Sequence, residues 1–268
     1  MIEYLSQTMI NQWLRCGEQF RRRFLEGQVI PPGIAAKIGT GLHKGAEVNH
    51  RYKLVTGEDE PLTVVTDAAR DGYVKSLDSG VFFPPDELPG AKKKLAEGVD
   101  VTVNLAALYH RELAPKIQPT LIEKKLALEV PGFPVRFEGT IDLLATGHNW
   151  HDIKSSDKRW PEGRADSEIQ ATLYWKLVKE YHGKAPNRLF YDVFTKSGLV
   201  HQQIETTRTE ADFEALVRTA RVMLQSIEAG IFHPAMPGSW ICSPRFCGFW
   251  WTCPAIPDHK KILPKRSI

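Results

Sequence analysis

From residue 121 to residue 155 the sequence reads LIEKKLALEVPGFPVRFEGTIDLLATGHNWHDIKS. Three apolar runs stand in it: Leu121 to Val130, Val135 to Ala145, and Asn149 to Ser155. Pro131-Gly132 separates the first two, and Thr146-Gly147-His148 separates the last two. Strand-like runs of this length, separated by Gly-containing turns, predict three strands in a meander. Gly139-Thr140-Ile141-Asp142 and Asp152-Ile153-Lys154 each set a carboxylate inside such a run. Residues i and i+2 on a strand share a face, so Asp152 and Lys154 emerge side by side, with Asp142 on the neighbouring strand. Two acids and an amine converging in an apolar setting are costly to bury unless a cation compensates them. The arrangement predicts a Mg²⁺ site suited to phosphodiester cleavage, since a divalent cation both neutralises phosphate charge and activates water. Taken alone, Asp152 and Lys154 also fit a strand-end salt bridge, with Asp142 capping a turn.

Outward from this core the pattern turns helical. Residues 7–27 carry Ile10, Trp13, Leu14, Phe20 and Phe24 at helical spacing. A second helix is expected from about Gly39-Thr40 past Glu47, and residues 57–118 read as mostly helical, with a loop from Phe82 to Gly90. After the meander, residues 166–182 read as helix, and Leu189 to Phe194 with Leu199 to Ile204 read as a hairpin. A long amphipathic helix follows, opened by Thr209 with Asp212 and stopped by Gly230. The order implies an α/β domain with a mixed sheet between helices. No linker divides the chain. The reading is therefore one domain over 1–268, with 57–118 as a helical insertion and 232–268 as a loop-rich, cysteine-containing tail.

Length and composition bound the class. The chain has 268 residues, 42% apolar and 25% charged, with a net charge of +3, all ordinary for a soluble globular protein. No apolar run approaches the ~18 residues of a membrane span, and residues 1–12 lack a signal-peptide pattern, so a cytoplasmic setting is the expectation. Basic residues cluster at Arg21-Arg22-Arg23, Lys92-Lys93-Lys94, Lys124-Lys125, Lys260-Lys261 and Lys265-Arg266.

Three further features add to the acidic pair. Gln170 and Tyr174 are four apart on a predicted helix and share a face, where an amide and a phenol can hold a phosphate or a base. His43 follows Gly39-Thr40-Gly41-Leu42, with Glu47 one turn later, and neutral imidazole near acids is a good Mn²⁺ ligand. Four cysteines complete the set: Cys16 on the first helix, and Cys242, Cys247 and Cys253 within twelve residues of the tail. Thiols so placed in a cytosolic chain point to a metal clasp that ties the chain ends together. Both an Fe–S cluster and Zn²⁺ accept four cysteines.

The ordered set of His, G-x-x-D, D-x-K, Q-x-x-x-Y and one-plus-three cysteines resembles the RecB-like branch of the PD-(D/E)XK nuclease superfamily. It is most similar to the iron–sulfur members: CRISPR spacer-acquisition nucleases, the AddB nuclease domain and phage RecB-like exonucleases. The resemblance spans Cys16 to Cys253. It implies a restriction-endonuclease-like mixed sheet flanked by helices. It also implies His43, Asp142, Asp152 and the Ile153 carbonyl as ligands of Mg²⁺ or Mn²⁺, and Lys154 as the catalytic lysine assisted by Gln170 and Tyr174. By the same resemblance Cys16, Cys242, Cys247 and Cys253 hold a [4Fe–4S] cluster, with Zn²⁺ as the alternative. The tail departs from the family's usual C-x₂-C-x₅-C, since four residues separate Cys242 from Cys247. Glu138 and Glu123 are spare carboxylates beside Asp142.

The expected activity is metal-dependent hydrolysis of DNA from single-stranded or unwound ends. The alternatives are a structure-specific endonuclease and a non-catalytic DNA-end-binding module of a larger complex. Arg21, Arg22, Lys158, Arg159 and Trp160 are the expected DNA contacts. Trp160 would either stack on a base or pack into the protein. Family analogy adds a recombinase, annealing protein or integrase as partner, and host cytoplasm if the chain is phage-encoded.

Overall fold

The computed structural model describes residues 2–261. Strands and helices follow one another as β1 (Tyr4–Leu5), α1 (Gln7–Arg15), α2 (Gly17–Phe20), α3 (Ile34–Thr56), α4 (Leu62–Ser76), α5 (Ala91–Glu112), β2 (Pro119–Leu128), β3 (Arg136–Ala145), β4 (Asn149–Ser156), α6 (Arg164–Ser167), α7 (Ile169–His182), β5 (Arg188–Thr195), β6 (His201–Thr206) and α8 (Glu210–Glu228). The meander and hairpin form where the apolar runs predict them. Lys265 and Arg266 lie outside the described residues.

β3 is the hub of a six-stranded mixed sheet. β2 runs antiparallel along one edge of it, from the Leu128–Phe137 pair to the Pro119–Ala145 pair. That leaves the other edge for two partners. β1 pairs in parallel at Arg136 and Phe137, and β4 pairs antiparallel at Leu143, Leu144 and Ala145. Between them, no strand among the described residues pairs with 138–142 on that side, and β3 and β4 diverge. β4 then pairs in parallel with β5, which carries β6 antiparallel.

The two faces of the sheet bury separate apolar clusters, giving helix layers on both sides. One joins Ile10, Phe137, Leu144, Trp150, Leu173, Tyr191 and Met223 beneath α1, α7 and α8. The other joins Leu42, Ala69, Tyr73, Leu105, Tyr109, Leu143, Ile153 and Phe194 beneath α3, α4 and α5. Fully buried side chains of this size stabilise by roughly 1.5–3 kcal/mol each. A Cβ on Gly41 would stand 2.7 Å from the Ala69 carbonyl, so glycine there lets α3 and α4 approach closely.

Three boundaries differ from expectation. The first helix does not run from 7 to 27. It breaks at Cys16, whose extended backbone ends α1 and caps α2, with its Sγ accepting from Gln19 N at 3.4 Å. The cause is tertiary: the segment at His233 docks there, its carbonyl accepting from Glu18 N at 3.1 Å, against a Gly17 that leaves it room. α3 starts at Ile34, behind Gly33, rather than near Gly39. β1 was not foreseen, because two residues carry no periodicity.

Candidate metal and phosphodiester site

The divergence of β3 and β4 builds the site. Continuing the Leu143–His151 register by one residue sets Asp142 opposite Asp152. The flanking pairs Ile122–Leu143 and Lys124–Ile141 set Glu123 opposite Asp142 on the other side. Three carboxylates therefore form a row across β2, β3 and β4, where the sheet opens into a pocket of about 650 Å³. α3 crosses the pocket mouth and brings His43, whose Nδ1 is 3.5 Å from Asp142 Oδ2. Gly39, one turn earlier, lets α3 lie against Ser155.

Asp152, Lys154 and Gln170 form a closed triangle. Asp152 is wholly buried. Gln170 Nε2 donates to its Oδ1 at 2.7 Å, and Gln170 Oε1 accepts from Lys154 Nζ at 2.8 Å. Lys154 Nζ also lies 2.6 Å from Asp152 Oδ2. Burial pushes the Asp152 carboxyl up, to about 7, with Asp142 adding to the effect and Lys154 opposing it. For Lys154 burial works against the charge, but Asp152 and Asp142 outweigh it and keep the ammonium protonated.

Tyr174, one turn beyond Gln170, is buried against the open edge of β3. A Cβ on Gly139 would stand 2.5 Å from Tyr174 Cε1, so only glycine admits the ring. Its edge meets Trp150 at 5.8 Å between centroids. Burial pushes the phenol pKa up, and Asp142 and Asp152 push it the same way. Tyr174 is thus a neutral wall of the site.

A divalent cation fits this donor set. The Asp142 and Glu123 carboxylates face one another across β3 and β2, and the His43 imidazole sits 3.5 Å from Asp142. His43, Glu123 and Asp142 each place one ligand atom within 4.8 Å of the others. Glu123, noted in the sequence only as a spare acid, is thereby part of the site; counting strand register from the meander turns would have found it. Its carboxyl is pushed up to about 7 by burial and by Asp142. Glu138 is elsewhere, paired at 2.6 Å with both Lys125 and Arg136.

The expected DNA contacts divide. Lys158 and Arg159 are exposed and have no ion pair among the described residues. Arg21 is partly exposed but engaged by Glu18 at 2.7 Å and by Glu26. Arg22 is buried: it bonds Glu18 at 2.8 Å, Thr252 Oγ1 at 3.0 Å and the Thr252 carbonyl at 2.8 Å. It is a tie between α2 and the tail, and its donors are spent. Trp160 is also a correction. It is buried in the sheet core at 5.2 Å from the Tyr191 ring, under the Arg164 guanidinium at 4.3 Å. An indole buries too much apolar area to stay in solvent when such a slot exists.

Cys16, Cys242, Cys247 and Cys253 are free thiols lining a single cavity of about 570 Å³, walled by Ile241, Phe249, Trp250 and Ile256. Gln19 Nε2 donates to Cys247 Sγ at 3.8 Å. Among the described residues no three of the thiols lie within 4.8 Å of one another. Burial raises the pKa of Cys242 and Cys247.

Residues 4–254 match the family model described as the PD-(D/E)XK nuclease superfamily. No curated protein matches the sequence. Among solved structures, that of a candidate exonuclease from Eubacterium rectale aligns with a TM-score of 0.58 and 14% identity, covering 98% of this chain and 90% of that one. At that identity the likeness bears on the fold. The structure of SSO0001 is 13% identical over 96% of each chain, with a TM-score of 0.38, too low to bear on either.

Proposed function

This chain belongs to the PD-(D/E)XK nuclease superfamily, and from that premise we propose that it is a Mg²⁺- or Mn²⁺-dependent exonuclease acting on single-stranded or unwound DNA ends. The observation that carries the reading is the Asp152–Lys154–Gln170 triangle facing Asp142 where β3 and β4 part. Asp142, Asp152, His43 and the Ile153 carbonyl would hold the cation, which supplies charge neutralisation at the phosphate and a nucleophilic water at neutral pH. Lys154 is held cationic by the two acids and aimed by Gln170, so its ammonium is ready for the charge that develops on the phosphate oxygens. Gln170 is a positioning residue, since it bonds Asp152 and Lys154 at once. Tyr174 keeps bulk water off the buried side of Asp152. Lys158 and Arg159 are the exposed cations that would track the backbone, which makes DNA binding salt-sensitive.

The end-directed mode rests on the likeness to the Eubacterium rectale protein. The iron–sulfur branch rests on the cysteine cavity. A single Zn²⁺ with ~2.3 Å bonds would hold its thiolates ~3.8 Å apart, whereas thiols spread more widely around one cavity suit a [4Fe–4S] cluster. The same reading treats 1–268 as one nuclease domain, with 57–118 inserted and 232–268 clasped by the cluster. It also sets the protein in the cytoplasm beside a recombinase, annealing protein or integrase.

The test is digestion of end-labelled single-stranded DNA with Mg²⁺, Mn²⁺ or EDTA, comparing the native chain with Lys154→Ala. The expected result is metal-dependent degradation slowed about 100-fold or more in the variant. A circular single strand that is cut as fast as a linear one would overturn the exonuclease mode.

A further inference from the structure

We propose that Arg208 is a positioning residue for Gln170, whose amide it holds in place between Asp152 and Lys154 by fastening the first turn of α7 from behind. The proposal deepens the nuclease reading and rests on it. Arg208 stands between β6 and α8 and is buried. Its Nε donates to Thr172 Oγ1 at 2.9 Å. Nη2 donates to the carbonyls of Ala165 at 2.9 Å and of Asp166 and Glu168 at 3.1 Å. Nη1 donates to the Thr207 carbonyl at 2.6 Å and to Thr206 Oγ1. The donors of the guanidinium are thus spent. Glu168 lies two residues before Gln170 and Thr172 two after it, so the grip brackets the amide. At about 100° per residue, Thr172 is on the opposite side of α7 from Gln170.

An ion pair does not account for Arg208. Among the described residues no carboxylate pairs with it, whereas the buried Arg22 has Glu18 at 2.8 Å. Asp166 is reached only through Thr206, whose hydroxyl accepts from Arg208 and donates to Asp166 Oδ1 at 2.6 Å. Burying a charge without a direct counter-ion is costly, and an apolar side chain of similar volume would serve a purely structural contact as well or better. What the guanidinium supplies is a rigid fork that gathers several carbonyls at once. α7 needs that grip, because Glu168 at its start makes no side-chain cap. The sheet supplies the complementary hold: Tyr191 Oη accepts from Ala171 N at 3.2 Å. Tyr191 pairs with Asp152 across β4 and β5, and its ring lies 6.0 Å from Lys154 Nζ. The turn that carries Gln170 is therefore fixed from both sides. The bonds of 2.7 and 2.8 Å that Gln170 makes to Asp152 and Lys154 would be lost with a shift of about 1 Å.

Magnetic resonance of the full-length protein, with isotopic labelling of the glutamine side-chain nitrogens, reads the Gln170 amide directly; Gln170→Ala identifies its signal. The two amide protons of the native chain are expected to be widely split, because one is donated to Asp152. Arg208→Lys keeps the charge but not the fork, and Thr172→Val removes one acceptor at nearly constant shape. Each should narrow the splitting toward that of an exposed glutamine. On linear single-stranded DNA, Arg208→Lys should lower kcat about 10-fold or more, with KM within about twofold of native. In a Gln170→Ala background the same substitution should cost less than about twofold, because the residue it positions is gone. A native Gln170 signal in both variants, or an equal cost with and without Gln170, overturns the assignment. If Arg208→Lys does not fold, Thr172→Val decides alone, and a native Gln170 signal in it overturns the assignment. If the signal moves as expected while the native chain leaves DNA intact, the nuclease reading fails and the positioning role stands.

Discussion

Single atoms decide much of this site. Gly139 is one case: it was legible in sequence as part of a strand motif, but its purpose is the 2.5 Å clearance it gives Tyr174. Gly139→Ala is expected to push the Tyr174 ring off β3 and to destabilise the fold by about 1–3 kcal/mol, typical of overpacking. Urea unfolding would read this as a lower midpoint at unchanged slope. Asp142, Asp152 and Lys154 were legible because carboxylates and an amine inside apolar runs are rare enough to stand out. Arg22 misled, and Trp160 stayed ambiguous, for the opposite reason. A loop aromatic and an arginine run look alike whether they meet solvent or the core, and the slots that take them, beside Tyr191 and Thr252, are built by residues far along the chain.

Among the elements, β5 carries a device on its second face. Asp192 interrupts the apolar run Leu189 to Phe194 and is wholly buried. His151 Nδ1 and His201 Nε2 each donate to it at 2.8 Å, and Gln203 donates at 2.9 Å. Burial alone would push its carboxyl up; these donors outweigh burial and hold it at about 2. An unfolded aspartate titrates near ~4. Between those values the unfolded chain binds the proton and the native one does not, so Asp192 stabilises the fold above pH ~4 and that contribution is lost as pH falls toward 2. Asp192→Asn is expected to lower stability at pH 7 and to flatten the loss between pH 4 and 2, read from denaturant midpoints across that range. Element identities were largely legible from periodicity and turn residues. The break at Cys16 was not, because the docking His233 segment causes it.

At the scale of the molecule, the segment around α2 is joined to the cysteine-containing segment. Arg22 binds Thr252, Glu18 binds the His233 carbonyl, and Arg245 reaches Asp86 and, at 2.7 Å, Glu87. Cys16 and the three tail cysteines face the same cavity. If a metal cluster there serves as a structural clasp, Cys247→Ala should lower thermal stability while leaving Mn²⁺ binding at the carboxylate row intact. A variant that keeps its stability but loses turnover would contradict that role. Among the described residues no helix is long and apolar enough to cross a membrane.

The sequence by itself determined the meander, the helices around it, and the acids and amine set inside its strands, because each is written in local spacing. Strand period, turn chemistry and the i, i+2 rule need no knowledge of distant residues. Only the tertiary structure decided which carboxylates meet, which arginine is spent on the tail, and which tryptophan is buried. The last two depend on slots that distant residues build; the first depends on strand register and on where β3 and β4 part. Long-range packing fixes both: β1 and β4 must share the edge of β3 that β2 leaves free.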